Sequence, residues 1–172
     1  MSAAVLATLA ACSNGAAPNA ANNAAPSNAA AAPAGPTVPG TVSGTFTVDG
    51  KPATLAFVGA YKQDPIDGKP VIAIVMSTLT QAGSANAAAD VITEKYGTEV
   101  VVLSVNPDGA FVEAGVYNKN LKAHSVTMEG GLTIKNFTST GGVLSGEVTT
   151  GGATDSMGQK LNIDLTFKVS AP

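Results

Sequence analysis

The sequence predicts an all-β domain with one short helix, built as an antiparallel sandwich or partly closed barrel of about eight strands. Three observations predict it. Beyond Gly40, apolar and polar residues alternate with a period of two over long stretches. Turn signals containing Gly recur between those stretches. Only one segment carries helical spacing, which is too little to supply the crossovers of a parallel sheet.

Val42, Gly44, Phe46 and Val48 alternate with Thr41, Ser43, Thr45 and Thr47, so the first strand has an apolar face and a hydroxyl face. Asp49-Gly50 follows as a hairpin dipeptide, because a two-residue reverse turn needs a positive φ that Gly adopts without penalty. Ala53, Leu55, Phe57 and Tyr61 are read as the return strand, with Gly59 permitting a bulge or a close approach. Asp64-Pro65-Ile66-Asp67-Gly68 is read as a turn. Val71 to Met76 is a continuous apolar run rich in β-branched residues, as expected of a strand covered on both faces.

Ser84 to Tyr96 breaks this rhythm. Ser84 is a candidate N-cap, Ala88, Val91, Ile92 and Lys95 fall on neighbouring turns, and Gly97 is a stop signal. A helix of about three turns is expected there, plugging an open end of the sheet or barrel. Strands resume at Glu99 to Val105 and Ala110 to Tyr117, joined by Asn106-Pro107-Asp108-Gly109. A polar stretch from Asn118 to Ser125 precedes strands at Gly131 to Phe137 and Val143 to Thr149 around Gly141-Gly142, then a loop from Gly151 to Gly158. The last strand sets Leu161, Ile163, Leu165, Phe167 and Val169 against Asn162, Asp164, Thr166 and Lys168. The first and last strands are expected to pair and cover one another's edges.

The 172 residues, 45% of them apolar, leave room for one domain with a sizeable core. Met1 to Val48 contains no charged residue, and Ser13 to Pro39 is almost wholly Ala, Asn, Pro, Ser and Gly. Such small side chains offer too little apolar area to offset the entropy of ordering, and the recurrent prolines interrupt helices. Residues 12–40 are therefore expected to form a disordered tether, and residues 41–172 the single β-rich domain. A flexible coil of that length spans on the order of 30 Å.

Leu9-Ala10-Ala11-Cys12 closes a short apolar segment just before this tract. The motif resembles the lipobox of bacterial lipoproteins, with Leu three residues before an acceptor Cys and small residues between. The resemblance implies that residues 1–11 are the remnant of a signal peptide and that Cys12 is the lipidation site, its acyl chains making the membrane a partner. By the same analogy Ser13, standing where Asp would favour inner-membrane retention, implies an outer-membrane location facing the periplasm or the cell surface. No Lys or Arg precedes Cys12, so the cationic start of the signal is expected upstream. The apolar run is too short to span a bilayer.

Charge and composition exclude several classes. Net charge is -3 and Arg is absent, so the cationic footprint of a nucleic-acid binder is missing. A single Cys leaves none for a disulfide. His124 is the one histidine, with no Gly-x-Ser-x-Gly elbow beside it, and is read as an exposed loop residue. Asp64, Asp67 and Asp155 lack the alternating pattern of a calcium loop. Glu113, Glu129 and Glu147 carry no spacing that unites two of them as acid and base. The glycine pairs open no helix and are not phosphate loops. No catalytic residue, metal or cofactor is expected. The sequence reads as a lipid-anchored envelope module that binds a protein, an envelope polymer or a hydrophobic ligand. The alternative is a structural or assembly accessory lipoprotein without a small-molecule ligand.

Overall fold

Asp49-Gly50, Asp67-Gly68, Gly141-Gly142 and Met157-Gly158 hold positive φ at both positions, and each joins two strands that pair directly around it. This is the φ signature of type I′ turns, whose twist matches that of the strands they connect. The structure, a computed structural model, describes residues 40–81, 90–91 and 95–172, all of them within one compact unit. Cys12 with its lipobox, the tether up to residue 39 and most of the expected Ser84–Tyr96 helix lie outside the described residues.

The described residues form eleven strands: β1 Thr41–Val48, β2 Lys51–Ala53, β3 Phe57–Ile66, β4 Lys69–Ser77, β5 Glu99–Val105, β6 Phe111–Asn118, β7 Ser125–Met128, β8 Thr133–Thr140, β9 Val143–Thr149, β10 Thr154–Ser156 and β11 Gln159–Ser170. They build a β-sandwich of two antiparallel sheets and no closed barrel. One sheet has the order β2-β1-β11-β9-β8 with β10 beside β11, and the other runs β3-β4-β5-β6-β7. The expected pairing of the first and last strands is present, with Thr41 opposite Lys168 and Val48 opposite Leu161.

The count of about eight strands is corrected by β2, β7 and β10, each four residues or shorter. The single return strand through Ala53, Leu55, Phe57 and Tyr61 is also corrected. It divides into β2 in the first sheet and β3 in the second, because the chain crosses the sandwich at Thr54 to Ala56, where Leu55 packs against the core. The turn read at Asp64 to Gly68 contracts to Asp67-Gly68, since β3 continues to Ile66 through a bulge at Asp64-Pro65.

Phe46, Leu144, Leu161, Ile163 and Phe167 of the first sheet meet Ile74, Met76, Val101 and Leu103 of the second in one buried cluster. At about 1.5 to 3 kcal/mol for each large apolar side chain removed from water, this interface dominates the favourable side of folding. The far face of the first sheet is solvated and rich in hydroxyls. Thr45, Asp164, Thr149 and Thr133 form one cross-strand row, and Ser43, Thr166, Glu147 and Lys135 the next.

Strand β4 is covered on both sides, as expected for Val71 to Met76. The outer face of the second sheet carries Tyr61, Ala73, Val75 and Val100, which pack against Val91 and Tyr96 of the β4–β5 connection. The described part of that connection thus lies over the sheet face and does not plug an end. Gly97 takes φ +95° where the connection turns into β5.

At Gly44 the chain holds φ +121°, and a Cβ there would lie 2.1 Å from the Asp164 carbonyl oxygen across the β1–β11 ladder. Gly44→Ala is expected to destabilise the fold by about 2 kcal/mol or more. Gly50→Ala, with open space around its Cβ, is expected to cost only about 1 kcal/mol. Urea unfolding midpoints of the two variants, compared with the parent, measure the difference.

Candidate functional site

Ser77, Val100, Tyr117 and Ser125 occupy one cross-strand row on the outer face of the second sheet. The β4–β5 connection buries Val100 fully but leaves Tyr117 half-buried and Ser125 exposed. An open cleft of about 310 Å³ results, walled by Val91, Gly97 and Thr98 on one side and by Tyr117, Asn118, Lys119, His124 and Ser125 on the other. The Tyr117 ring lies over Gly115 of its own strand, where a Cβ would come within 3.1 Å of Tyr117 Cε2.

The wall formed by residues 118–125 is held closely. Asn118 N–H donates to the His124 carbonyl at 3.0 Å, Leu121 N–H to the Asn118 carbonyl at 3.0 Å, and His124 N–H to the Leu121 carbonyl at 3.0 Å. Asn118 Oδ1 accepts from Asn120 N–H at 2.8 Å, an Asx turn of the kind that short amide side chains make. His124 closes the loop at φ +62°, strain that persists where the surroundings fix the backbone.

Gln159, 5% exposed, fastens this loop to the first sheet. Its Nε2 donates to Asp49 Oδ2 at 2.9 Å and to the Asn120 carbonyl at 2.9 Å, while its Oε1 accepts from Lys122 N–H at 2.7 Å. Asp49 Oδ1 in turn accepts from Lys160 N–H at 2.7 Å. The hydrogen bond from Gln159 and then that from Lys160 hold the Asp49 carboxyl below its ordinary value of 3.8, with Lys122 and Lys51 adding to the effect.

Two polar groups at the cleft stand out. Lys119 pairs with Glu99 at 3.3 Å, and the Glu99 side chain is only 10% exposed, so the cation at the rim is matched by an anion beneath it. Asn118, in step with Ala114 and Val116 on the inner face of β6, is 1% exposed, and its buried Nδ2 has no hydrogen-bond partner among the described residues, an omission that costs about 1 to 3 kcal/mol in a buried donor. Behind the cleft, Tyr61 O–H donates to Gln81 Oε1 at 3.1 Å and Gln81 Nε2 to the Val75 carbonyl at 2.8 Å. Burial pushes the Tyr61 phenol above its ordinary value of 10.0, with Tyr96 and Asp90 adding to the effect. Lys95 is bonded to Asp90, which holds its ammonium above 10.5.

The residues weighed in the sequence are scattered. Cys12 lies outside the described residues. His124 is exposed, as read, and lines the cleft. Glu113 and Glu147 sit on the outward faces of opposite sheets, opposite Ser104 and Lys135 respectively, and Glu129 is in the exposed crossing after β7. Asp64 and Asp67 belong to the β3–β4 end, while Asp155 caps the β10–β11 turn through Gly158 N–H at 3.0 Å. Among the described residues no three His, Cys, Asp or Glu gather in a way that could hold a metal ion.

Tyr117, Asn118, Lys119 and Thr98 were not singled out by the sequence. The one local signal was an aromatic two residues beyond Gly115 on the same strand face. Comparisons with family models, curated proteins and solved structures return no match.

Gln159→Ala is expected to destabilise the fold by about 1 to 3 kcal/mol and to broaden amide resonances across residues 118–125. Unchanged spectra there would show that the loop does not depend on Gln159. Because the Asp49 carboxyl is held below 3.8 in the folded state, its stabilising contribution is present above that pH and is lost as pH falls through the lower folded value. Asp49→Asn should therefore lower the unfolding midpoint at neutral pH, and the gap from the parent should close in acid.

Proposed function

We propose that this chain is a lipid-anchored binding module of the bacterial cell envelope. Cys12 carries the acyl chains, residues 12–40 serve as a leash, and the β-sandwich presents its recognition surface beyond the headgroups. The reading is carried by Leu9-Ala10-Ala11-Cys12 followed by an uncharged stretch as far as Val48. Acylation makes sense of that stretch, because a tethered domain searches a volume near the bilayer.

The sandwich supports binding as its task. The clefts at Tyr117 and at Met157 are open to solvent, the first on the outer face of the second sheet and the second at the margin of the core, where Leu121 and Val126 line it. The wall of the Tyr117 cleft is fixed before any ligand arrives, which reduces the ordering cost of association. On this reading the protein resides at the outer membrane, and its partner is an envelope component.

Cys12→Ser is expected to shift the protein from the membrane pellet to the soluble fraction of its native host. Mass spectrometry that found Cys12 unmodified, with the preceding peptide still attached, would sink the anchoring. Limited proteolysis should cut before about Gly40 and leave a resistant fragment.

A further inference from the structure

We infer that Met157 is a reversible oxidation site, where a hydroperoxide converts the thioether to a sulfoxide and thereby changes the cleft beside Leu121 and Val126 from apolar to polar. The inference goes beyond the proposed function and does not rest on it.

Turn chemistry does not account for Met157. Type I′ turns favour Asn, Asp and Gly at their first central position, and the other turns of this class among the described residues place Asp49, Asp67 and Gly141 there. Met157 occupies that position at φ 53°, a conformation uncommon for a side chain of its size. The backbone is held there from both sides, because Ser156 pairs with Gln159 and Asp155 Oδ1 accepts from Gly158 N–H at 3.0 Å. Strain kept in so rigid a turn directs attention to the side chain it presents.

That side chain is open to reagents. Met157 is 73% exposed, whereas Met76 is 0% and Met128 9% exposed. Oxidation follows access to sulfur, so the fold separates one open thioether from two shielded ones. In the step itself a sulfur lone pair attacks one oxygen of hydrogen peroxide, and the S–O bond forms as the O–O bond breaks. The departing oxygen takes the proton of the transferred one and leaves as water. Sulfur loses two electrons and the peroxide gains them. Reduction by a dithiol runs the other way, the sulfoxide oxygen leaving as water while the dithiol closes to a disulfide.

The neighbours decide what the added oxygen does. Met157 lines a cleft of about 230 Å³ together with Leu121 and Val126, which pack at the margin of the core. A thioether matches such apolar neighbours, and a sulfoxide replaces it with a polar acceptor. Lys122, Ser125 and Ser156 line the same cleft and supply donors for that acceptor. Oxidation at Met157 is therefore accommodated, and its effect stays within the cleft. On Met76 the same oxygen would lie unpaired in the core.

The test treats the full chain with hydrogen peroxide, folded in buffer and unfolded in urea, and follows each methionine by peptide mass spectrometry. Lys95 and Lys135 put Met76, Met128 and Met157 in different tryptic peptides. Met157 in the folded chain is expected to gain oxygen within about threefold of its rate in urea, while Met76 and Met128 are slowed more than about tenfold. In ¹⁵N spectra the oxidised protein should keep its fold and shift the amides of residues 121–126 as well as 156–159. Methionine sulfoxide reductases specific for the two epimers, supplied with dithiothreitol, should restore the original spectrum. Met157→Leu in peroxide should show none of these shifts. Protection of Met157 equal to that of Met76, or failure of the reductases, would overturn the site. Shifts confined to residues 156–159, or loss of the folded spectrum on oxidation, would overturn the change in the cleft. Each outcome is independent of acylation at Cys12.

Discussion

The central strands of the second sheet, β4 and β5, are dry on both faces, and much else follows from that constraint. Ile74 and Leu103 point into the sandwich while Val75 and Val100 point away from it, yet all four are fully buried. A central strand that is apolar on both sides must be roofed, since leaving Val75 and Val100 wet would forgo about 1.5 to 3 kcal/mol each. The β4–β5 connection is that roof, set down through Val91 and Tyr96. Its described part covers Val100 and leaves Tyr117 half-buried and Ser125 exposed. The cleft beside Tyr117 borders that described part at Val91, Gly97 and Thr98, so the packing of β4 and β5 also supplies one of its walls.

Holding the opposite wall is a polar task. Residues 118–125 have few apolar anchors beyond Leu121, and hydrogen bonds fix them instead. Gln159 joins three segments distant in sequence: the β1–β2 turn at Asp49, the loop at Asn120 and Lys122, and its own strand. A buried amide with both its oxygen and its nitrogen engaged sets position more sharply than a hydrocarbon of the same size, because its partners must sit at fixed angles. The first sheet thereby sets the position of a wall on the second.

Much of the fold was readable because its rules are local. The alternation in Thr41 to Val48 and Leu161 to Val169, and the turn dipeptides Asp49-Gly50 and Gly141-Gly142, state period and reversal directly. Met157-Gly158 was passed over because Met rarely accepts positive φ. Ala53, Leu55 and Phe57 show a deeper limit. Alternation records which side chains are buried and is silent on which sheet they join, so a crossing between sheets looks like one strand. The cleft was illegible for a related reason. Tyr117 has the pattern of a core residue, and nothing near it in sequence tells that it borders a cleft.

The hydroxyl rows on the free face of the first sheet bear on how the molecule keeps itself dispersed. Only 12% of the residues are charged, so electrostatic repulsion between copies is feeble. Threonine and serine hold water by hydrogen bonding, which salt does not screen as it screens charge. Dispersal resting on that hydration shell is nearly indifferent to ionic strength.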